Sequence, residues 1–248
     1  MEPALMRTML AVDERHWWYR GRRRVIRAEL DKLPLPADAR VLDAGCGSGR
    51  TLQELADYGE VSGIELNSDA AELARSRGLG EVRIGALEHL PWEDETFDLV
   101  TCLDVVEHVP DDVAALVELL RVTRRGGWLL ITVPAHQALW SRHDEANHHY
   151  RRYSRASLRG AALAAGWKVT RITAFNSLLL APAAAVRITQ RHRGGRNGHS
   201  NALEIPPAPL NEALERPLTL EARWLAAGHT FPLGLSLLTL LRRPPDGL

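Results

Sequence analysis

The residues best suited to chemistry begin in the run Val41-Leu-Asp-Ala-Gly-Cys-Gly-Ser-Gly49. An apolar stretch ends in Asp43, and glycines follow at 45, 47 and 49. Glycine lets a backbone turn sharply and come close to a ligand, so this is a turn suited to holding one. Glu65 lies 20 residues after Gly45 and ends the next apolar stretch. An acid there can accept hydrogen bonds from both hydroxyls of a ribose. A dinucleotide fingerprint would need glycine at position 50, which is Arg50. A nicotinamide-binding turn also has no need of Asp43. That carboxylate makes sense if the ligand brings an ammonium group, or if loop donors must be held in place. Cys46, within the loop, and Cys102 read as small buried side chains.

Two further clusters stand out. Trp140-Ser-Arg-His-Asp-Glu-Ala-Asn-His-His-Tyr-Arg-Arg-Tyr153 is the densest polar and aromatic stretch. His143, Asp144, His148 and His149 can supply a general base, because an imidazole titrates near pH 6.5. His and carboxylate also suit a divalent cation, but no metal site is expected. Trp17, Trp18 and Tyr19 stand beside Arg20, Arg22, Arg23 and Arg24. They either dock an aromatic face on the core or form a lid over a cationic ligand, with an arginine pairing a carboxylate. Tyr19 and Arg24 are the expected ligand-facing members. His108, just after Glu107, caps a helix start, fills space or faces the ligand.

The elements that must position these residues alternate. Val12–Leu30 reads as a helix broken by Pro34 and Pro36. Strands are expected from Arg40, at Val61–Leu66, Val82–Ile84, Phe97–Leu103 and Trp128–Val133. Helices are expected at Thr51–Tyr58, after a cap at Ser68, and through Val113, Leu116, Val117 and Leu120, with Gly126–Gly127 ending the last. Ser154 caps a helix reaching Ala165, and Trp167–Phe175 reads as a strand. Asn211–Ala227 is a helix and Leu233–Leu241 a last strand. Strand–helix alternation argues for a doubly wound, mostly parallel α/β sheet with helices on both faces. Ligands bind such sheets at the carboxyl edge of the strands.

The pattern Asp43-x-Gly45-x-Gly47-x-Gly49 resembles the first motif of the class I S-adenosylmethionine-dependent methyltransferases. Gly85-Ala-Leu-Glu-His-Leu-Pro91 resembles the family's adenine-lining segment. Phe97–His108 resembles its fourth strand and the helix start beyond it, and Leu119–Leu130 the approach to its fifth. The nearest likeness is to ubiquinone-type O-methyltransferases and related uncharacterised bacterial enzymes. It covers about residues 38–135, with weaker likeness through His16-Trp-Trp-Tyr19 and Trp140–Tyr153.

The resemblance implies a seven-stranded Rossmann-like sheet with its last strand antiparallel, an N-terminal cap helix over 12–30 and an acceptor-side segment over 136–153. It implies one domain over 1–248, within which Gly194, Gly195, Gly198, Ser200, Asn201 and three prolines mark 191–209 as an expected flexible loop. It implies methyl transfer from S-adenosylmethionine to an oxygen or nitrogen of a small-molecule acceptor. The alternative is a non-methylating cofactor-binding protein of the same fold, cyclase-like or regulatory. Cofactor-facing positions are then Tyr19, Arg24, Asp43, Gly45, Cys46, Gly47, Gly49, Glu65, Leu66, Ala86, Leu87, Glu88, Leu103 and His108. Catalytic candidates are His149, His143 and Asp144. His148 falls where the relatives more often have glycine, which favours His149 over it.

Composition agrees with a globular chain: 248 residues, 45% hydrophobic, 25% charged and no net charge. The neutrality hides an asymmetry. Residues 1–150 carry 17 Lys+Arg against 26 Asp+Glu, and residues 151–248 carry 14 against 5. The basic excess is dispersed, so no nucleic-acid partner is expected. Two cysteines exclude a disulfide scaffold, and a reducing cytoplasm is the expected setting. Leu178–Val186 and Leu233–Leu241 fall far short of the roughly 20 residues that span a bilayer. An apolar stretch beside Arg187, Arg191 and Arg193 suits contact with an anionic membrane surface, but packing into the domain is the adopted reading.

The resemblance also generates a test. Family members often carry aspartate at the position of Ala86, where it accepts the adenine amino group. Ala86→Asp is therefore expected to tighten S-adenosylmethionine binding by about 1 kcal/mol, read by calorimetry. A large loss would mean that Ala86 serves close packing instead.

Overall fold

The computed structural model describes residues 12–182 and 205–245. Most of the expected loop 191–209, and Arg187, Arg191 and Arg193, lie outside the described residues. So does the apolar stretch Leu178–Val186 beyond residue 182. The His143 side chain is likewise outside them.

Seven strands form one sheet: β1 (Arg40–Ala44), β2 (Glu60–Glu65), β3 (Glu81–Ile84), β4 (Phe97–Leu103), β5 (Thr123–Pro134), β6 (Lys168–Phe175) and β7 (Ser236–Arg242). Their order is β3-β2-β1-β4-β5-β7-β6. The first five pair in parallel, and β7 runs antiparallel between β5 and β6. The helices are α1 (Trp17–Leu30), α2 (Arg50–Leu55), α3 (Ser68–Ser76), α4 (Asp112–Val122), α5 (Arg142–Ala146), α6 (Arg155–Ala164) and α7 (Ala208–Ala226). Among the described residues no helix is long and apolar enough to cross a membrane.

The central strands are apolar on both faces because both are covered. Successive residues point opposite ways, so one core takes Leu42, Val100 and Ile131 while the other takes Val41, Leu99 and Leu130. The first packs against Ala115, Leu116 and Leu119 of α4 and Leu158 and Ala162 of α6. Trp167 closes it, its indole N–H donating to the Leu116 carbonyl at 2.9 Å. The second packs against Val25 and Ile26 of α1 and Leu218, Ala222 and Leu225 of α7.

Several local expectations change. The helix expected over Val12–Leu30 is interrupted at His16, whose ring nitrogen accepts from the Trp18 N–H and starts α1. Asn67 rather than Ser68 caps α3, because its side-chain oxygen reaches the Ala70 N–H at 3.0 Å. Val117 is half exposed, and Ala115 and Leu119 take the core face instead. Gly126–Gly127 lies inside β5 rather than ending a helix, at a register shift between β4 and β5. Ala208 and Pro209 begin α7 rather than ending a loop.

α1 and α7 pack unusually closely. A Cβ added at Gly21 would come within 2.4 Å of Leu218 Cδ1 and 2.7 Å of its Cβ. Gly21→Val must push the two helices apart. It is expected to lower stability by about 1–3 kcal/mol in denaturant unfolding.

Candidate functional site

The strand order reverses between β1 and β4, and the chain leaves their carboxyl ends in opposite directions. The resulting crevice is where open α/β sheets bind ligands. β1 delivers Asp43 there and runs into the glycine turn. The Gly45 and Cys46 N–H groups donate to the Ile64 carbonyl at 2.9 and 3.0 Å, which ties the turn to β2.

The three glycines have different reasons to be glycine. Gly45 is left-handed at φ 89°, and a Cβ there would lie 2.4 Å from Val105. At Gly49 a Cβ would strike the Ala74 backbone at 2.8 Å, so this glycine admits α3 rather than a ligand. Only at Gly47 would a Cβ meet nothing within 4 Å. Its open side faces a cavity.

Two cavities follow the crevice. One of about 210 Å³ is lined by Asp13, Tyr19, Arg22, Asp43, Gly47 and Ser48. The other, about 420 Å³, is lined by Glu65, Leu66, Ala86, Leu87, Glu88 and His108. Gly45 and Leu103 border both, so the two are parts of one cleft. The Glu65 carboxylate is fixed beside it, accepting the Gly47 N–H and the Asn67 N–H at 2.9 Å each.

The arginine that reaches the cleft is Arg22, not Arg24. Arg22 donates to Asp104, a residue in the left-handed region at φ 57° that also borders the second cavity. Arg24 points to α7, where it donates to Thr219 at 2.7 Å and pairs with Glu215 at 2.8 Å. Helical spacing carried the signal: Tyr19 and Arg22 are three apart and share a face. Trp18 does not cover the cleft either, since it stacks on Phe175 at 5.9 Å and 11°. Asp13 and Asp104 had no signal in the sequence, because only the cap and the turn after β4 bring them in. Cys46 borders the first cavity, and burial pushes its thiol well above the usual range, which disfavours the thiolate.

On the acceptor side, Asp144 is fully buried and its carboxylate is saturated with donors. Arg152 donates at 2.7 and 3.0 Å, the Ser141 N–H at 2.8 Å, and His149 Nδ1 lies 3.0 Å away. Burial alone would raise this carboxyl, but His149 and Arg152 hold it well below the usual range. Asp144 therefore orients His149 and lines neither of the two cavities.

The His149 ring meets the His108 ring edge-on, centroids 4.6 Å apart. His108 borders the cleft, and His149 stands behind it. Burial, then the neighbouring His149, pushes the His108 imidazole below its usual 6.5. His148 is exposed in the left-handed region at φ 56°, a conformation natural to glycine. Glu107 is buried at 1% exposure, and burial raises its carboxyl well above the usual range.

Asp43, at the end of β1, is also a buried acid. It is 1% exposed, accepts the Thr101 hydroxyl at 2.6 Å, and burial lifts its carboxyl to about 6. The native chain therefore holds this proton more tightly than the unfolded chain. The stability it contributes is complete below about pH 4 and is lost as pH rises through about 6. Asp43→Asn is expected to flatten that fall. The difference from the wild type should be smallest near pH 4 and grow to on the order of 1–3 kcal/mol by pH 7, in denaturant unfolding across pH.

Comparison with known proteins gives this geometry relatives. A methyltransferase domain matches residues 42–131. A ubiquinone biosynthesis O-methyltransferase of Xanthomonas oryzae pv. oryzae is 37% identical over 103 residues, which are 39% of this chain and 43% of that one. The chain thus matches less than half the length of these curated relatives. A chain of the Haloferax volcanii complex containing the Trm112 methyltransferase activator superposes with a TM-score of 0.65 at 21% identity, over 99% of this chain and 96% of that one. Haemonchus contortus phosphoethanolamine N-methyltransferase 2, solved with S-adenosyl-L-methionine, superposes with a TM-score of 0.59 at 16% identity, over 89% of this chain and 52% of that one. The chain shares the fold of these solved structures, and its residues 42–131, which hold the strand-order reversal and the glycine turn, match a methyltransferase domain.

Proposed function

We propose that this chain binds S-adenosylmethionine along the cleft and methylates an oxygen or nitrogen of a small-molecule acceptor. The observation that carries the reading is the continuity of the cleft from Asp43 and Gly47, past Glu65, to His108. The residues fit the cofactor part by part. Glu65 has acceptor capacity for ribose hydroxyls beyond the two N–H groups it already holds. Ala86, Leu87 and Glu88 form the wall for a flat base. Arg22 offers a guanidinium to a carboxylate, and buried Asp43 offers an acceptor to an ammonium group. Tyr19 places an aromatic ring on the same wall.

When bound, the cofactor supplies an electrophilic methyl group, so the protein mainly has to align the acceptor. No nucleophile is required of the chain. The segment from Pro134 to Tyr153 sets His149 against His108 at the acceptor end of the cleft. His108, neutral at physiological pH, is the cleft-lining group able to take a proton there, and His149 and Asp144 behind it fix its surroundings.

Glu65→Ala is expected to weaken S-adenosylmethionine by about 1.5–3 kcal/mol in calorimetry, because a charged acceptor is lost. Glu65→Gln, which keeps the shape, should weaken it less. Equal affinity in all three folded proteins would overturn the assignment. Turnover is read as S-adenosylhomocysteine released with phenols, sugars, amines and lipid intermediates as acceptors.

A further inference from the structure

The outer side of the cap helix carries a cationic feature that the cleft does not use. α1 and α7 run side by side in the same direction. The Trp17 N–H donates to Asn211 Oδ1 at 2.9 Å, Arg24 to the Thr219 hydroxyl at 2.7 Å, and Lys32 to the Leu225 carbonyl. The outward faces of the two helices leave an open groove of about 430 Å³ between them.

Four arginines line the groove, Arg20 and Arg24 from α1 and Arg216 and Arg223 from α7. Residues four or seven apart share a face of a helix, so each pair stands in file along the groove. At 1.5 Å per residue the two files are about 6 and 10 Å long. Glu215 forms the floor. It is 4% exposed and holds Arg20 at 3.1 Å and Arg24 at 2.8 Å. Its one charge fixes where both guanidiniums stand without neutralising both. Glu212 is the other acid, so four cations against two anions leave a surplus of two positive charges. Arg216 and Arg223 are exposed, and among the described residues neither guanidinium has a hydrogen-bond or ion-pair partner. Leu220, 56% exposed, stands between them as an apolar wall.

We infer that this groove binds an organic diphosphate, at a site separate from the cofactor cleft. Guanidinium forks match phosphate oxygens in pairs, which a point-like ammonium group does not. One phosphate satisfies one open fork, and the two-turn file from Arg216 to Arg223 suits two phosphates. Leu220 then meets the organic part of the ligand. Tyr19 and Arg22 project from the same α1 toward the cleft. An anion held between the arginines of α1 and those of α7 bridges the cap helix to the body and steadies that wall. A filled groove therefore tightens S-adenosylmethionine binding, and by linkage the cofactor tightens the anion equally. This coupling rests on the reading that the cofactor lies along the cleft.

The test uses the full chain in calorimetry with uridine diphosphate, chosen because it carries no adenine, and with pyrophosphate and orthophosphate in separate runs. The expected result is one site that weakens with added salt and prefers both diphosphates to orthophosphate by at least about 10-fold. Uridine diphosphate should bind at least as tightly as pyrophosphate. Tighter binding of pyrophosphate would overturn the organic part of the assignment and leave a site for the free anion. Arg216→Ala and Arg223→Ala should each weaken uridine diphosphate by about 10-fold or more. Arg159→Ala, on α6 across the sheet, should leave it unchanged. Without the anion, the double variant Arg216→Ala/Arg223→Ala should bind S-adenosylmethionine as the wild type does, which verifies its fold. Saturating uridine diphosphate should tighten S-adenosylmethionine at least about threefold in the wild type and not in the double variant. No saturable diphosphate binding, or equal binding in wild type and double variant, overturns the site. Diphosphate binding with no change in cofactor affinity overturns the coupling alone. Diphosphate binding without any S-adenosylmethionine binding would sink the cofactor reading and leave the groove site standing.

Discussion

The reversal of strand order between β1 and β4 is the constraint on which the rest depends. Two parallel strands whose connections depart to opposite faces cannot cover their own carboxyl ends. Everything chemical in this molecule faces that gap or lines its rim: Asp43 at the end of β1, Glu65 at the end of β2, and Asp104 just past β4. The glycine turn arises from the same geometry. The chain must leave β1, avoid Val105 and admit α3 within a few residues, and glycines at 45 and 49 meet the last two demands.

The cleft gathers acids. Asp13, Asp43, Glu65, Asp104 and Glu107 all lie on or beside it, in the half of the chain that carries the acidic excess. Arg22 is the cation set among them, and its pairing with Asp104 joins the cap helix to the turn after β4. Burial makes the charged forms of Asp43 and Glu107 costly unless something positive arrives. A cationic ligand is therefore favoured before any hydrogen bond is considered.

The sheet and the glycine turn were legible because each rests on local signals. Phe97–Leu103 is a strand by its apolar run, Ser154 is a cap by its chemistry, and Gly45 and Gly47 need φ angles that other residues resist. The features hidden from the sequence depend on how elements meet. Arg24 resembles Arg22 in composition and neighbours, and only the packing of α1 against α7 turns one to the cleft and the other to Glu215. The meeting of Glu107 with His149 has no sequence signature, because a turn and a loop far apart in sequence create it. Gly126–Gly127 misled because a glycine pair inside a strand looks the same in sequence as one that ends a helix.

The close packing of α1 on α7 sets the order in which the protein becomes competent during its synthesis. Tyr19 and Arg22 are made well before α7, yet the helix that carries them rests against a face supplied by Leu218, Ala222 and Leu225. β7 enters the middle of a β5–β7–β6 array whose other two strands are made earlier. A nascent chain can pair the strands before β7 and form the glycine turn while it is still tethered. Its ligand wall stays unfinished until the segment from Ala208 to Arg242 has emerged, so the growing polypeptide has no complete pocket in which to trap a small molecule.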